Sequence, residues 1–219
     1  MTPTAALARG LRHLVWLAMA ASAGAAWAGQ QQYEPLSASV RAVLQSAVSD
    51  RAAPRLTFAS DALRQHWLDE MSARLAKRIA DPRYRRDLLS SVHYEATRAG
   101  LDPQLVLGLI QVESNFRKYA VSSAGARGYM QVMPFWSELL DGGRGNLFHL
   151  RTNLRYGCTI LRHYLDIENG NLFRALGRYN GSLGQATYPE LVLKAWQQWR
   201  YSPPPELSAS QLDASTRAE

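Results

Sequence analysis

The chain is poorest in cysteine. Cys158 is its one thiol in 219 residues, and a single thiol cannot pair internally, so a disulfide framework is excluded. Cys158 shares a helical stripe with Leu154, Leu161 and Leu165, where a small core hydrophobe fits better than a reactive or metal-binding thiol. The five histidines are scattered and none stands at ligand spacing. No metal and no cofactor is expected. Long hydrophobic runs are also missing. The apolar run over residues 14–25 falls short of the roughly 20 residues needed to span a bilayer. Strand signals are almost absent, and there is no internal repeat or long low-complexity stretch. Acid is scarce where it matters most, because Glu113 is the only Asp or Glu between Asp102 and Glu138.

What is present suffices for one globular domain with additions: 219 residues, 47% of them apolar. Residues 1–28 have the form of a secretory signal peptide. Arg9, Arg12 and His13 precede the apolar run, and Ala26-Trp27-Ala28 is an A-x-A-like cleavage site. No cysteine directly follows that site, where Gly29 stands, so lipid attachment there is unsupported, and an exported, periplasmic protein is expected. Removing Arg9 and Arg12 takes the 25 basic residues to 23 against 18 acids, a net charge of +5. Such an excess favours polyanionic partners. The arginines are dispersed and no nucleic-acid-binding motif accompanies them, so nucleic acid is not the expected partner.

Residues 29–39 are polar and read as a flexible lead-in. Val40, Val43, Leu44, Ala47 and Val48 mark a short amphipathic helix, and Leu63, Trp67, Met71, Leu75 and Ile79 a second. Asp81-Pro82 and Asp102-Pro103 are two cap-then-proline helix starts. Further helices are expected from Pro134 to Leu140, from Asn153 toward Gly170, from Leu172 to Tyr179, and from Pro189 through Trp199. From Ser202 the chain is rich in Pro and Ser and reads as a disordered tail. The fold class is therefore mainly α around one core.

Residues 101–136 organise the rest. Leu105, Val106, Leu109, Ile110 and Val112 follow the Asp102-Pro103 start at helical spacings too apolar for a surface helix, and Glu113 closes the run before Asn115 ends it. Leu109 and Ile110 flank its carboxyl from one turn earlier. Desolvation there should raise its pKa toward about 6, the value reached by the buried acid of hen-type lysozyme. The competing reading is a helix-end glutamate paired with Arg117 at i+4. After it come a loop of small residues (Ser122, Ser123, Gly125, Gly128) and the soft, amide and aromatic side chains of Met130, Gln131, Met133 and Trp136.

Glu113-Ser114-Asn115-Phe116, then Gly128-Tyr129-Met130-Gln131-Val132-Met133-Pro134, then Tyr179-Asn180 resembles, in this order, the E-S, G-L-M-Q and A-Y-N motifs of the soluble lytic transglycosylase catalytic domain. That family is related to goose-type lysozymes. The resemblance covers roughly residues 82–201, leaving residues 29–81 as an N-terminal helical extension and 202–219 as the tail. It implies a lysozyme-like helical domain with at most a small β-element near residues 121–131. It also implies peptidoglycan glycan strands as substrate. Glu113 is then the catalytic acid, protonating the glycosidic oxygen between N-acetylmuramic acid and N-acetylglucosamine. It next acts as the base that draws the muramic 6-hydroxyl onto C1, closing a 1,6-anhydro ring.

Ser122, Met130, Gln131, Tyr179 and Asn180 are the substrate-binding residues that the resemblance implies. Gln131 would hydrogen-bond sugar hydroxyl or acetamido groups, Met130 would wall the cleft, and Tyr179 would aim its hydroxyl at Glu113 or the sugar. Met130 and Tyr179 also fit apolar stripes, so a core role competes for both. Ser114 can support the loop instead of touching substrate. Tyr129 and Arg178 stand where the family has Leu and Ala, and both enlarge side chains near the expected cleft unless they point away. A hydrolase of the same bond and a non-cleaving wall-binding protein are the alternatives. General wall remodelling and opening the wall for a secretion apparatus are equally compatible with the sequence.

Overall fold

The structure, a computed structural model, describes residues 31–49, 52–54 and 56–207. The signal-peptide segment and the tail beyond Leu207 lie outside these residues, and residues 205–207 form a single helical turn. Among the described residues the architecture is eight helices: α1 (Ala38–Ser49), α2 (Asp61–Leu75), α3 (Pro82–Arg98), α4 (Pro103–Ser114), α5 (Pro134–Asp141), α6 (Leu150–Ile167), α7 (Leu172–Asn180) and α8 (Thr187–Trp199). The expected β-element is reduced to two isolated antiparallel bridges, Val121 with Arg127 and Arg127 with Val132. The protein is mainly α, as its sequence periodicity requires.

Both cap-then-proline starts form as the sequence predicts. Asp81 accepts the Arg83 amide at 2.9 Å and Asp102 accepts the Gln104 amide at 2.7 Å, each before a proline at the first helical position. Three boundaries differ from the sequence reading. α2 stops at Leu75, although Ile79 still packs on the core through the turn that follows. α6 begins at Leu150, three residues before Asn153, and α8 begins at Thr187, two before Pro189. Asn153 does not cap its helix because its side chain is needed elsewhere.

The core is continuous from the first helices to the last. Trp67, Leu68, Met71 and Leu75 of α2 lie in the same buried cluster as Leu88 and Val92 of α3 and Val106, Leu109 and Ile110 of α4. Leu44 and Val48 of α1 join it as well. The N-terminal helices are therefore packed onto the domain. Glu95 of α3 is fully buried between Arg155 (Nη2 at 2.9 Å) and Arg98 (Nε at 3.1 Å), an ion cluster that fixes α3 against α6. Cys158 is buried and unpaired, and burial pushes its thiol pKa up, away from reactivity. α4 and α8 cross where Gly108 lies: a Cβ there would sit 2.7 Å from the Trp196 amide nitrogen. That close approach carries the start of α8 to the end of α4, where the site is.

Candidate active site

Glu113 is the next-to-last residue of α4 and only 4% exposed. The apolar helix that the sequence builds around it removes water from the carboxyl, and its pKa is pushed up to about 8, further than the sequence reading expected. One hydrogen bond opposes this shift: the Tyr188 hydroxyl, from the first turn of α8, donates to Glu113 Oε1 at 2.5 Å. Arg117, the ion-pair partner of the competing reading, turns its Nε instead to the Ser114 carbonyl at 3.0 Å. Glu113 is thus a buried acid that holds its proton at neutral pH, set against a phenol.

Directly after Glu113 the backbone reverses. Asn115 and Phe116 both take left-handed conformations, φ 47° and 62°, which cost about 1–3 kcal/mol each in non-glycine residues and persist only where the surroundings hold them. Here Arg78 does so, donating to Asn115 Oδ1 at 2.9 Å and covering the Phe116 ring. The reversal returns the chain alongside α4 as the loop that ends in Tyr129-Met130-Gln131.

That loop is clamped by side chains, and several motif residues turn out to be the clamps. Gln131 Nε2 donates to the Gly128 and Ala120 carbonyls, at 2.8 and 3.2 Å. Ser114 Oγ lies 2.8 Å from the Tyr129 carbonyl, confirming its loop-supporting reading. Tyr179 donates to the Met130 carbonyl at 2.7 Å. Ser122 Oγ accepts the Ala126 amide at 3.0 Å. Asn153, fully buried, joins all of this: its Oδ1 accepts the Met130 amide, and its Nδ2 donates to the Arg127 and Leu147 carbonyls, each at 2.8 Å.

Two expectations are therefore corrected. Met130 has no exposed surface and packs against Gly157, so it is core, not cleft wall. The Tyr179 hydroxyl serves the Met130 carbonyl, and the phenol that meets Glu113 is Tyr188. Gln131 spends its amide donors within the loop. Asn180, buried, closes α7 beside Tyr179. Tyr129 and Arg178 are both engaged with other partners. Tyr129 meets the Tyr84 hydroxyl at 2.7 Å, and Arg178 pairs with Glu168 and Glu34.

Residues 90–190 match the family described as transglycosylase SLT domain. This stretch, 101 of the 219 residues, is similar to that transglycosylase domain. The matched region begins within α3 and ends within α8, so it includes Glu113 and Tyr188. Similar proteins include a membrane-bound lytic murein transglycosylase C of Actinobacillus pleuropneumoniae, 51% identical over 132 residues, covering 53% of this chain and 34% of the relative. The transglycosylase of Enterobacteria phage PRD1 is 37% identical over 101 residues, covering 43% of this chain and 37% of the relative. A membrane-bound lytic murein transglycosylase C of Histophilus somni is 37% identical over 112 residues, covering 44% and 31%. The matched region thus spans about a third of the length of these relatives. Among the described residues of this chain no helix is long and apolar enough to cross a membrane.

Tyr188 has no counterpart in the sequence reading. It lies 75 residues beyond Glu113, in a segment recognised only as a helix start, and nothing local marks it. The sign of its effect gives a prediction. Its hydrogen bond lowers the Glu113 pKa, so Tyr188→Phe should raise that pKa and move the alkaline limb of the pH–activity profile upward, with a several-fold loss in rate. A loss that is uniform in pH, with the limb unmoved, would assign Tyr188 to packing alone.

Proposed function

We propose that this protein is an exported lytic transglycosylase that cleaves peptidoglycan between N-acetylmuramic acid and N-acetylglucosamine. The observation that carries this reading is a single enclosed, protonated carboxyl, Glu113, with no second acid near enough to shift it. The next acids along the chain are engaged elsewhere: Glu138 lies against Gly143, and Asp141 accepts from Ser137 and from the Arg144 amide. A hydrolase of this bond ordinarily uses two carboxyls, one to protonate the leaving oxygen and one to activate water or trap the sugar. In this reading the substrate supplies the nucleophile.

In the proposed sequence the Glu113 proton passes to the glycosidic oxygen as the bond to C1 breaks, and the 2-acetamido group stabilises the cation at C1. The Glu113 carboxylate then takes the proton of the 6-hydroxyl as O6 bonds to C1. The acid is regenerated, the 1,6-anhydro ring is closed, and no water enters. A nucleophile on the same sugar has a large entropic advantage over free water. The strip beside the site suits an anionic wall polymer: between Glu113 and Glu138 the chain carries Arg117, Lys118 and Arg127 and no acid. Lys118 lies over the Tyr119 ring and Arg127 over Phe148. The relatives named as membrane-bound murein enzymes support a cell-envelope setting, which agrees with the signal-peptide reading of residues 1–28.

Digestion of purified sacculi tests the reading. The products should end in 1,6-anhydro-muramic acid, one water lighter than hydrolysis products, and should resist borohydride at that end. Mainly reducible muramic acid ends would make the protein a hydrolase. Intact sacculi together with retained glycan binding would make it a wall-binding protein.

A further inference from the structure

The segment expected to be a flexible lead-in is instead seated. Residues 31–37 run without helix or strand into α1, yet Gln31 is only 3% exposed. Its Oε1 accepts the Met133 amide at 3.2 Å, and its carboxamide lies beside the Tyr179 hydroxyl. Tyr33 meets the Phe135 ring edge-on, with centroids 5.8 Å apart, and Glu34 pairs with Arg178 at 2.9 Å. The segment therefore touches residues on or beside two of the three family motifs. Tyr179 in turn lies close enough to Glu113 to feel its charge.

The fit is made for release as much as for holding. Gln31 Nε2 is buried without a hydrogen-bond partner, an unfavourable state for an amide. The outer fastening is one half-exposed ion pair and one aromatic edge, both weak in water. Glu113 itself is only 4% exposed. The Gln31 carboxamide also offers the Met133 amide a carbonyl, as an N-acetyl group would, so a glycan can take its place.

We propose that residues 31–36 are an autoinhibitory strap that fills the glycan cleft beside Glu113 and leaves it when a glycan strand binds. The proposal rests on the lytic transglycosylase reading for the identity of that cleft. An occupied cleft lowers apparent affinity by the fraction of molecules that are open. Arg178, which replaces the small residue of the family motif, acquires a purpose as the strap's anchor.

The test uses the full mature chain carrying Gln31→Ala with Glu34→Arg, and separately Tyr33→Ala, each checked for an unchanged thermal midpoint. Binding of tetra-N-acetylchitotetraose is measured by calorimetry, and release of soluble muropeptides from sacculi is followed in parallel. Both variants should bind the tetrasaccharide more tightly, by about fivefold or more for the double variant, and release muropeptides faster. Unchanged or weaker binding in variants that fold as the wild type overturns the strap, whatever the wild type cleaves. Tighter binding with no cleavage by any of the proteins keeps the strap and sinks the transglycosylase reading.

Discussion

Glu113→Gln should leave a folded protein with almost no cleaving activity, a loss on the order of 10³-fold or more, and one that is more stable than the wild type at neutral pH. The loss of activity follows from chemistry: the amide keeps the shape and the Tyr188 contact but has no proton to give to a glycosidic oxygen. The gain in stability follows from linkage. Glu113 has a folded pKa of about 8 against 4.5 when exposed, so between those values the folded chain holds a proton that the unfolded chain has released. Stability is therefore full below about pH 4.5 and falls as the pH rises toward 8. At roughly 1.4 kcal/mol per pKa unit, the penalty at pH 8 is on the order of 4 kcal/mol, and glutamine does not pay it. The melting temperatures of the two proteins should converge near pH 4 and separate progressively above it. Equal stability at pH 8 would mean that the carboxyl is hydrated in solution, and near-wild-type activity would remove Glu113 from the chemistry.

Asn153→Ala should produce the largest destabilisation among single polar replacements near the site, about 3 kcal/mol or more. Two buried backbone groups lose their partner at once, the Met130 amide and the Leu147 carbonyl, and the Arg127 carbonyl keeps only its bond from the Val132 amide. Each buried group left unsatisfied costs about 1–3 kcal/mol, and the site is too enclosed for water to replace all three contacts. Because Asn153 is what holds the Tyr129–Gln131 loop beside α4, activity should fall more than global stability does. Hydrogen exchange would check this, with the Met130 amide losing protection before the helices do. If protection at Met130 survives, the loop is held by Gln131, Ser114 and Tyr179 without Asn153.

Asn153 also shows why some of the site was legible in the sequence and some was not. Its place at the start of a helix was visible, but its three partners come from the Arg127–Met130 loop and from Leu147, and no periodicity encodes that meeting. The motif residues mislead in the same way. A Gln and a Tyr in a ligand-binding motif suggest contact with substrate, whereas Gln131 and Tyr179 close the hydrogen bonds of buried loop carbonyls. Burial makes such bonds obligatory, and burial is not written in a four-residue motif. Tyr188 was missed for a simpler reason. It reaches Glu113 because α8 lies against Gly108 of α4, a contact between segments far apart in the chain.

By itself the sequence determined the mainly helical class, through apolar spacings near 3.6 residues, and the two capped starts, through Asp81-Pro82 and Asp102-Pro103. It also determined that Glu113 is the only carboxyl available in its stretch, because composition alone excludes a second. Those features are local, and local chemistry suffices to set them. The tertiary structure decided how dry Glu113 is, which phenol it meets, which motif side chains build the loop, and that Gln31, Tyr33 and Glu34 pack against Met133, Phe135 and Arg178. Each of these depends on which distant surfaces exclude water together. Desolvation is a property of the packed whole, so it could be anticipated in direction from Leu109 and Ile110 but not in extent.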